Sequence, residues 1–157
     1  MHKDSFQVTL ISNGHMGIIP ISQEMGDGWR AEGHKRVMVE VNGEYSYHAS
    51  LQTRKNQGYY VYAGKKVQKA AGIEIGEELQ VRLLEDTTEF QLAMPEELKA
   101  VLDTDWEAEE IFKKLTDGNK RSIVHWIISV KSSDLRIEKA LRVAENLKMG
   151  LTNPRKY

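Results

Sequence analysis

Leu79-Gln80-Val81-Arg82-Leu83-Leu84-Glu85-Asp86-Thr87-Thr88, followed shortly by Met94-Pro95-Glu96-Glu97-Leu98, decides the fold, because the hydrophobic period changes between the two stretches. Leu79, Val81 and Leu83 alternate with polar residues, the period of two that a strand with one buried face requires. Beyond Thr88 the apolar residues recur with a period near 3.6, which marks amphipathic helices. The chain therefore reads as a strand-rich front followed by a helical back.

Working toward the start, the same alternation returns repeatedly. Phe6, Val8 and Leu10 share one face of an extended segment. Ile18, Ile19 and Ile21 cluster around Pro20. Val37, Val39 and Val41 alternate with Met38 and Glu40, Asn42-Gly43 signals a turn, and Tyr45, Tyr47 and Ala49 resume beyond it. Gly58 opens Tyr59-Tyr60-Val61-Tyr62. Five or six short strands of this kind predict a small β-barrel. One short helix, Lys65 to Ala71, is stopped by Gly72, and Gly76 is placed to take a positive φ. Gly17 to Pro20, Met25-Gly26 and Val37 to Val41 echo this strand–helix–strand pattern weakly, as two halves of a pseudo-symmetric barrel would.

Working toward the end, four helices are expected. Pro95 suits a first helical position, with acids in the first turn. Thr104 or Asp105 can cap a helix carrying Trp106, Ile111, Phe112 and Leu115, ended by Asp117-Gly118-Asn119. Ile123, Trp126, Ile127 and Val130 stripe the next helix, widened by Val124 and Ile128. Ser133 or Asp134 can cap the last, which should turn Ile137, Ala140, Leu141, Ala144 and Leu147 inward and stop at Gly150. Leu151 to Tyr157 show no periodicity, and a loosely ordered tail is expected.

The composition, 40% hydrophobic and 29% charged, is that of a globular protein. The absence of cysteine excludes disulfides and thiolate chemistry. No apolar run resembles a signal peptide or approaches the roughly 20 residues that cross a bilayer, so a cytoplasmic protein without membrane insertion is expected. A net charge of −1 argues against a dedicated nucleic-acid binder. The charge is uneven: residues 91 to 116 hold three Lys/Arg against seven Asp/Glu, and residues 117 to 157 hold nine against four. The two parts could pair as one self-complementary surface, or the basic part could face an anionic partner.

Two family likenesses follow from particular residues. Trp126-Ile127-Ile128-Ser129-Val130-Lys131, then Arg136, Lys139, Leu147 and Gly150, resembles the helical domain of the YdeI/OmpD-associated, or bacteriocin-protection, family. Met94 to Leu98 and Phe112-Lys113-Lys114-Leu115 fit the same family. Leu135 replaces its usual Thr, and Val130 its usual Ala. Pro20, Val37 to Gly43, Tyr59 to Val61 and Gly72 to Glu77 resemble the barrel called domain of unknown function 1905, which often precedes that helical domain. The resemblance implies a double-split β-barrel, a shape shared with AbrB-type DNA-binding regulators, and a link to tolerance of antimicrobial peptides and envelope stress. It carries no catalytic residues.

Lys131 and Arg136 flank a helix–helix turn and admit two readings. With free N–H groups at Asp134 and Leu135 they could form an anion pocket, joined by Trp126 and Lys139. Alternatively they hold carbonyls of the preceding helix end and pair with acids of residues 105 to 110. On the barrel, Tyr45 and Tyr47 share a face, as do Tyr60 and Tyr62, and if the two sets pair across a sheet and face water they form a stacking platform flanked by Arg54, Lys65 and Lys66. If the tyrosines face inward they are barrel filling, and at least one of the pairs Tyr45/Tyr47 and Tyr60/Tyr62 should do so. His2, His15, His34, His48 and His125 lack zinc spacing, so neither metal nor cofactor is expected. No phosphate loop, nucleophile elbow or paired-carboxylate spacing is visible. The reading is an α+β protein: a small double-split-type β-barrel over residues 1–90 and a helical region over 91–157. It is a non-enzymatic, monomeric binding protein for an unknown protein or an anionic small ligand. The alternatives are a nucleic-acid-binding regulator by analogy with AbrB-type barrels, and an unrecognised enzyme.

Overall fold

Alternating valines and leucines can bury one face only if a second sheet covers them, and the computed structural model shows that arrangement. It describes residues 3–55 and 58–157. The chain divides into two compact units, Met1–Thr87 and Thr88–Tyr157.

The first unit contains β1 (Lys3–Thr9), β2 (Ile11–Ser12), β3 (Gly17–Ile21), α1 (Gln23–Ala31), β4 (Arg36–Val41) and β5 (Tyr45–Ser50). It continues through β6 (Gln52–Arg54), β7 (Gly58–Ala63), α2 (Lys65–Ala71) and β8 (Glu78–Glu85). The strands form two antiparallel sheets, ordered β1-β8-β4-β5 and β2-β3-β7-β6. Leu10 separates β1 from β2, and Leu51 separates β5 from β6, so the chain passes from one sheet to the other at each of these buried corners. The bends account for eight strands where the alternation suggested five or six runs. Val37, Val39, Val61, Leu79, Val81 and Leu83 fill the space between the sheets with no exposed surface.

The weak echo in the sequence corresponds to a repeat in topology. β1-β2-β3-α1-β4 recurs as β5-β6-β7-α2-β8. β1 pairs with β8 as β5 pairs with β4, and β2 with β3 as β6 with β7. The halves meet in β3·β7, centred on Ile19↔Val61, and in β4·β8, centred on Val39↔Leu83. Even the corners correspond: the Leu10 N–H donates to the Glu77 carbonyl (2.9 Å) and the Leu51 N–H to the Lys35 carbonyl (2.8 Å). The turn joining the halves has positive φ at both Asn42 (53°) and Gly43 (69°), as its Asn-Gly sequence favours. Gly72 and Gly76 also take positive φ, 68° and 96°.

Two helices interrupt the strands, not one. α1 is capped by Ser22, whose hydroxyl accepts from the Met25 N–H. It was hidden from periodicity by Gly26 and Gly28, poor helix formers. Gly26 is required because the Tyr59 ring lies where its Cβ would be. Trp29, one turn on, is fully buried and donates its indole N–H to Asp4 at 2.9 Å.

The second unit contains α3 (Glu96–Thr104), α4 (Trp106–Lys114), α5 (Asp117–Ile128), α6 (Ser133–Lys148) and a 3₁₀ turn (Pro154–Lys156). Phe90, Leu98, Phe112, Ile123, Ile127, Val143 and Leu147 are buried in its core. Several boundaries differ from the sequence reading. Pro95 precedes α3 as its N-cap. Asp117-Gly118-Asn119 opens α5, because the Thr116 hydroxyl caps the Asn119 N–H. Ser132, one residue early, caps α6 through the Leu135 N–H. Ile137 (40% exposed) and Leu141 (52%) point outward, and Val143 takes the inward place. The tail is docked: the Tyr157 ring meets Trp126 edge-on at 5.2 Å. No helix among the described residues is long and apolar enough to cross a membrane.

Gly26 gives a direct test of this packing. Gly26→Ala gains about 1 kcal/mol of helix propensity but forces Cβ to within 1.9 Å of the Tyr59 ring. Overpacking of this kind costs about 1–3 kcal/mol. Thermal unfolding of Gly26→Ala should therefore begin below wild type. A midpoint at or above wild type would show that Tyr59 is not seated there.

Candidate functional site

The end of α5 leaves carbonyls that no later N–H of the helix can satisfy. Cations of α6 satisfy them. Lys139 Nζ donates to the Trp126 carbonyl and to Ser129 Oγ, each at 2.9 Å. Arg136 Nε donates to the Val130 carbonyl at 2.8 Å. Ser129 Oγ also donates to the Trp126 carbonyl. Positive charge is favourable at this negative end of the helix dipole. Lys139 Nζ lies 4.4 Å from the centroid of the Trp126 ring, close enough for a cation–π contact.

The stretch that identifies the helical region is thus a joint between two helices, with Trp126, Arg136 and Lys139 brought together. Lys131 is exposed and has no partner among the described residues, and Lys139 does the carbonyl work expected of it. The acids expected to pair with this group are engaged elsewhere. Asp105 bonds Lys148 at 2.7 Å, and Glu109 and Glu110 face Lys113. The Lys148 ammonium holds the Asp105 carboxyl below its ordinary pKa, helped by the Ala108 N–H. Of the two N–H groups proposed for an anion, Leu135's is taken by Ser132.

The candidate residues of the first unit separate into two groups. Val61 and Ala63 lie in the core, so alternation places Tyr60 and Tyr62 on the outer face of their sheet. There they meet edge-on at 5.4 Å, across β3 from Pro20 and Ile18. Arg54 and Tyr60 share a concave surface of about 360 Å³ with Ile11, Ile18 and Pro20. A hydrogen bond with Tyr62, followed by burial, raises the Tyr60 hydroxyl above its ordinary pKa, and Arg54 pulls the other way. Lys65 and Lys66 are exposed on α2, and Lys65 borders a different depression with His15 and Gln68. Tyr47 packs against the core, donates to the Tyr62 carbonyl at 2.9 Å and stacks on Tyr45. Burial pushes its hydroxyl far above the ordinary range.

The histidines do not converge. His48 Nδ1 lies 2.6 Å from the Asp86 carboxylate, whose side chain is fully buried. His34 stands edge-on to Trp29, with Glu32 and Glu85 at 3.9 and 4.0 Å. His15 and His125 are exposed, and His2 lies outside the described residues. Among the described residues no three His, Asp or Glu side chains are grouped to hold a metal ion. Sequence reasoning missed the His48–Asp86 pair, since strand alternation gives the face of a residue but not its neighbour on the next strand.

With this geometry in view, comparison with known families is informative. Residues 6–83 match the model described as domain of unknown function DUF1905. Residues 91–150 match the one described as bacteriocin-protection, YdeI or OmpD-associated. No curated protein and no solved structure matches the chain.

Two measurements test the joint. Lys139→Met keeps the aliphatic stem but loses two hydrogen bonds and a cation–π contact, and should destabilise by about 1–2 kcal/mol, whereas Lys131→Ala should stay within about 0.5 kcal/mol of wild type. Equal effects in urea unfolding would refute the assignment of Lys139. The Tyr157 hydroxyl is buried without a partner among the described residues, and burial pushes its pKa from 10.0 up to about 12. Its contribution to stability is therefore present below pH 10 and lost as pH rises toward 12. The difference in alkaline absorbance between wild type and Tyr157→Phe should rise near pH 12, and a rise near 10 would mean that the ring is undocked.

Proposed function

We propose a binding role, without catalysis, for this chain, which joins a DUF1905 domain to a YdeI or OmpD-associated, bacteriocin-protection domain and belongs to the proteins that share this arrangement. The observation that carries the proposal is an outer sheet face bearing half-buried Tyr62 and, only 6% exposed, Tyr60, which shares a concavity with Arg54. Tyrosine and arginine are the residues that interfaces favour, because they combine large contact area with fixed hydrogen-bonding groups. Arg136 and Lys139 of the α5–α6 joint, by contrast, are engaged with their own chain. We therefore place the contact surface on the barrel and give the joint a structural role.

The same reading takes the two sheets as one double-split barrel. The bends at Leu10 and Leu51 carry a strand across both open edges, which supports it. Both halves of the pseudo-two-fold are supplied by one chain, which supports a monomer. A regulator that grips DNA finds less support. The outer face of the other sheet sets Arg82 against Glu40 at 2.7 Å, and the net charge is −1. The partner in this reading is an acidic protein segment met in the cytoplasm, and the outcome is protection against antimicrobial peptides.

Cells producing the wild-type chain should survive a cationic antimicrobial peptide better than cells producing Arg54→Glu/Tyr62→Ser at the same level. Lys66→Glu, on a different part of the surface, should protect like wild type. Equal survival with the double variant would remove the tyrosine face from the function.

A further inference from the structure

The concave outer face of the sheet β2-β3-β7-β6, about 360 Å³, holds one guanidinium and no carboxylate in its lining. Arg54 bonds the Tyr60 hydroxyl and forms no ion pair among the described residues. A guanidinium has five N–H donors, so most of its donors are left over. At the opposite end, Asn13 and Ser12 use their acceptors within their own turn. Asn13 Oδ1 accepts from the N–H groups of His15 and Met16, at 3.1 and 2.9 Å, and Ser12 Oγ from that of Gly14, at 3.0 Å. The Asn13 amide protons and the Ser12 hydroxyl proton have no acceptor among the described residues. Between the two ends lies an apolar floor of Ile18, Pro20 and Tyr60, with Ile11, 42% exposed, beside it. Both ends thus offer donors, and the floor offers contact area.

These residues come from all four strands of the sheet. Three strand spacings separate β2 from β6, about 14 Å, which is the reach of about four residues of extended chain. The register places Gln52 opposite Tyr60, and Arg54 lies two residues along β6 from Gln52. Arg54 and Tyr60 are then about 8 Å apart at their Cα atoms, near the ~7 Å that separates alternate side chains of an extended chain.

We infer that this face takes an extended peptide that crosses the strands, with an apolar side chain seated on Ile18, Pro20 and Tyr60 and an acidic side chain two residues away held by Arg54. The inference rests on the contact surface proposed above and specifies its partner, whose acid is paired with an apolar residue at a spacing of two. Arg54 receives the carboxylate through two parallel N–H···O bonds. Asn13 and Ser12 donate to carbonyls at the other end of the segment. A small free acid would reach Arg54 but leave the Asn13 end unused.

The probes are the capped peptides acetyl-GLSEG-amide and acetyl-GESLG-amide, one for each direction of the segment. They are titrated into the full chain while the Ile18 δ1 methyl signal is followed by NMR. At least one should shift that signal saturably, with a Kd on the order of 1 mM. Replacing its Glu by Gln should weaken binding about tenfold, and replacing its Leu by Ser several-fold. In Arg54→Gln, at an exposed position, the Glu and Gln peptides should bind alike, a loss of selectivity that damage to the fold would not mimic. No saturable shift at about 10 mM peptide, or equal affinity of wild type for the Glu and Gln peptides, would overturn the inference. So would sodium isocaproate binding as tightly as the better peptide, since the ligand would then be a small acid. The survival assay separates this inference from the reading beneath it. If the peptides fail while Arg54→Glu/Tyr62→Ser abolishes protection, the face stands and its partner is not of this kind. If the peptides bind as expected while the double variant protects like wild type, the site stands and the protective role falls.

Discussion

The first unit depends on two buried leucines at which strands change sheets. Leu10 and Leu51 have almost no exposed surface, and each ties its backbone N–H to the residue preceding an inner strand. A bend inside a strand breaks the ladder, so the bent residue must find its hydrogen-bond partner elsewhere. Glu77 and Lys35 supply that partner, at equivalent places in the two halves. With the corners fixed, β3·β7 and β4·β8 face each other and the valine and leucine side chains between them have one place to go.

The backbone repeats, but its two outer faces do not resemble one another. One carries Arg82 paired with Glu40, beside His48 bonded to Asp86. The other carries Ile18, Pro20, Tyr60 and Tyr62. Symmetry of fold thus coexists with divergence of surface. In the helical unit the logic runs the other way. The residues most recognisable in sequence, Trp126, Arg136 and Lys139, close a helix end and consume their donors in doing so. Family resemblance there marks a requirement of packing.

The strand-to-helix change after Thr88, the Asn42-Gly43 turn and the glycines at 72 and 76 were legible, because each rests on local periodicity or on backbone freedom. α1 was not, since its glycines answer to Tyr59, a residue more than thirty positions away. Ile137 and Leu141 were placed inward because a helical wheel shows which residues share a face, while packing decides which face is covered. Lys120, a buried residue of α5, was legible as an exception, since it stands at stripe spacing from Ile123, Val124 and Ile127. Which tyrosines turn outward stayed open until Val61 and Ala63 were seen in the core, and the approach of Arg54 required the register of β6 against β7.

The pairing of β1 with β8 sets Lys3 opposite Leu84 and Thr9 opposite Glu78. β1, made first within its unit, therefore waits for β8, made last. Until then the nascent chain carries an open hydrogen-bonding edge and an unroofed row of valines, a state that invites mispairing. Contacts so distant along the chain also slow folding. The helical unit waits in the same way, because α3, its first helix, packs chiefly on α6, the last of its α-helices. Vectorial synthesis thus presents the cell with two units in turn, each of which closes only when its last element has emerged.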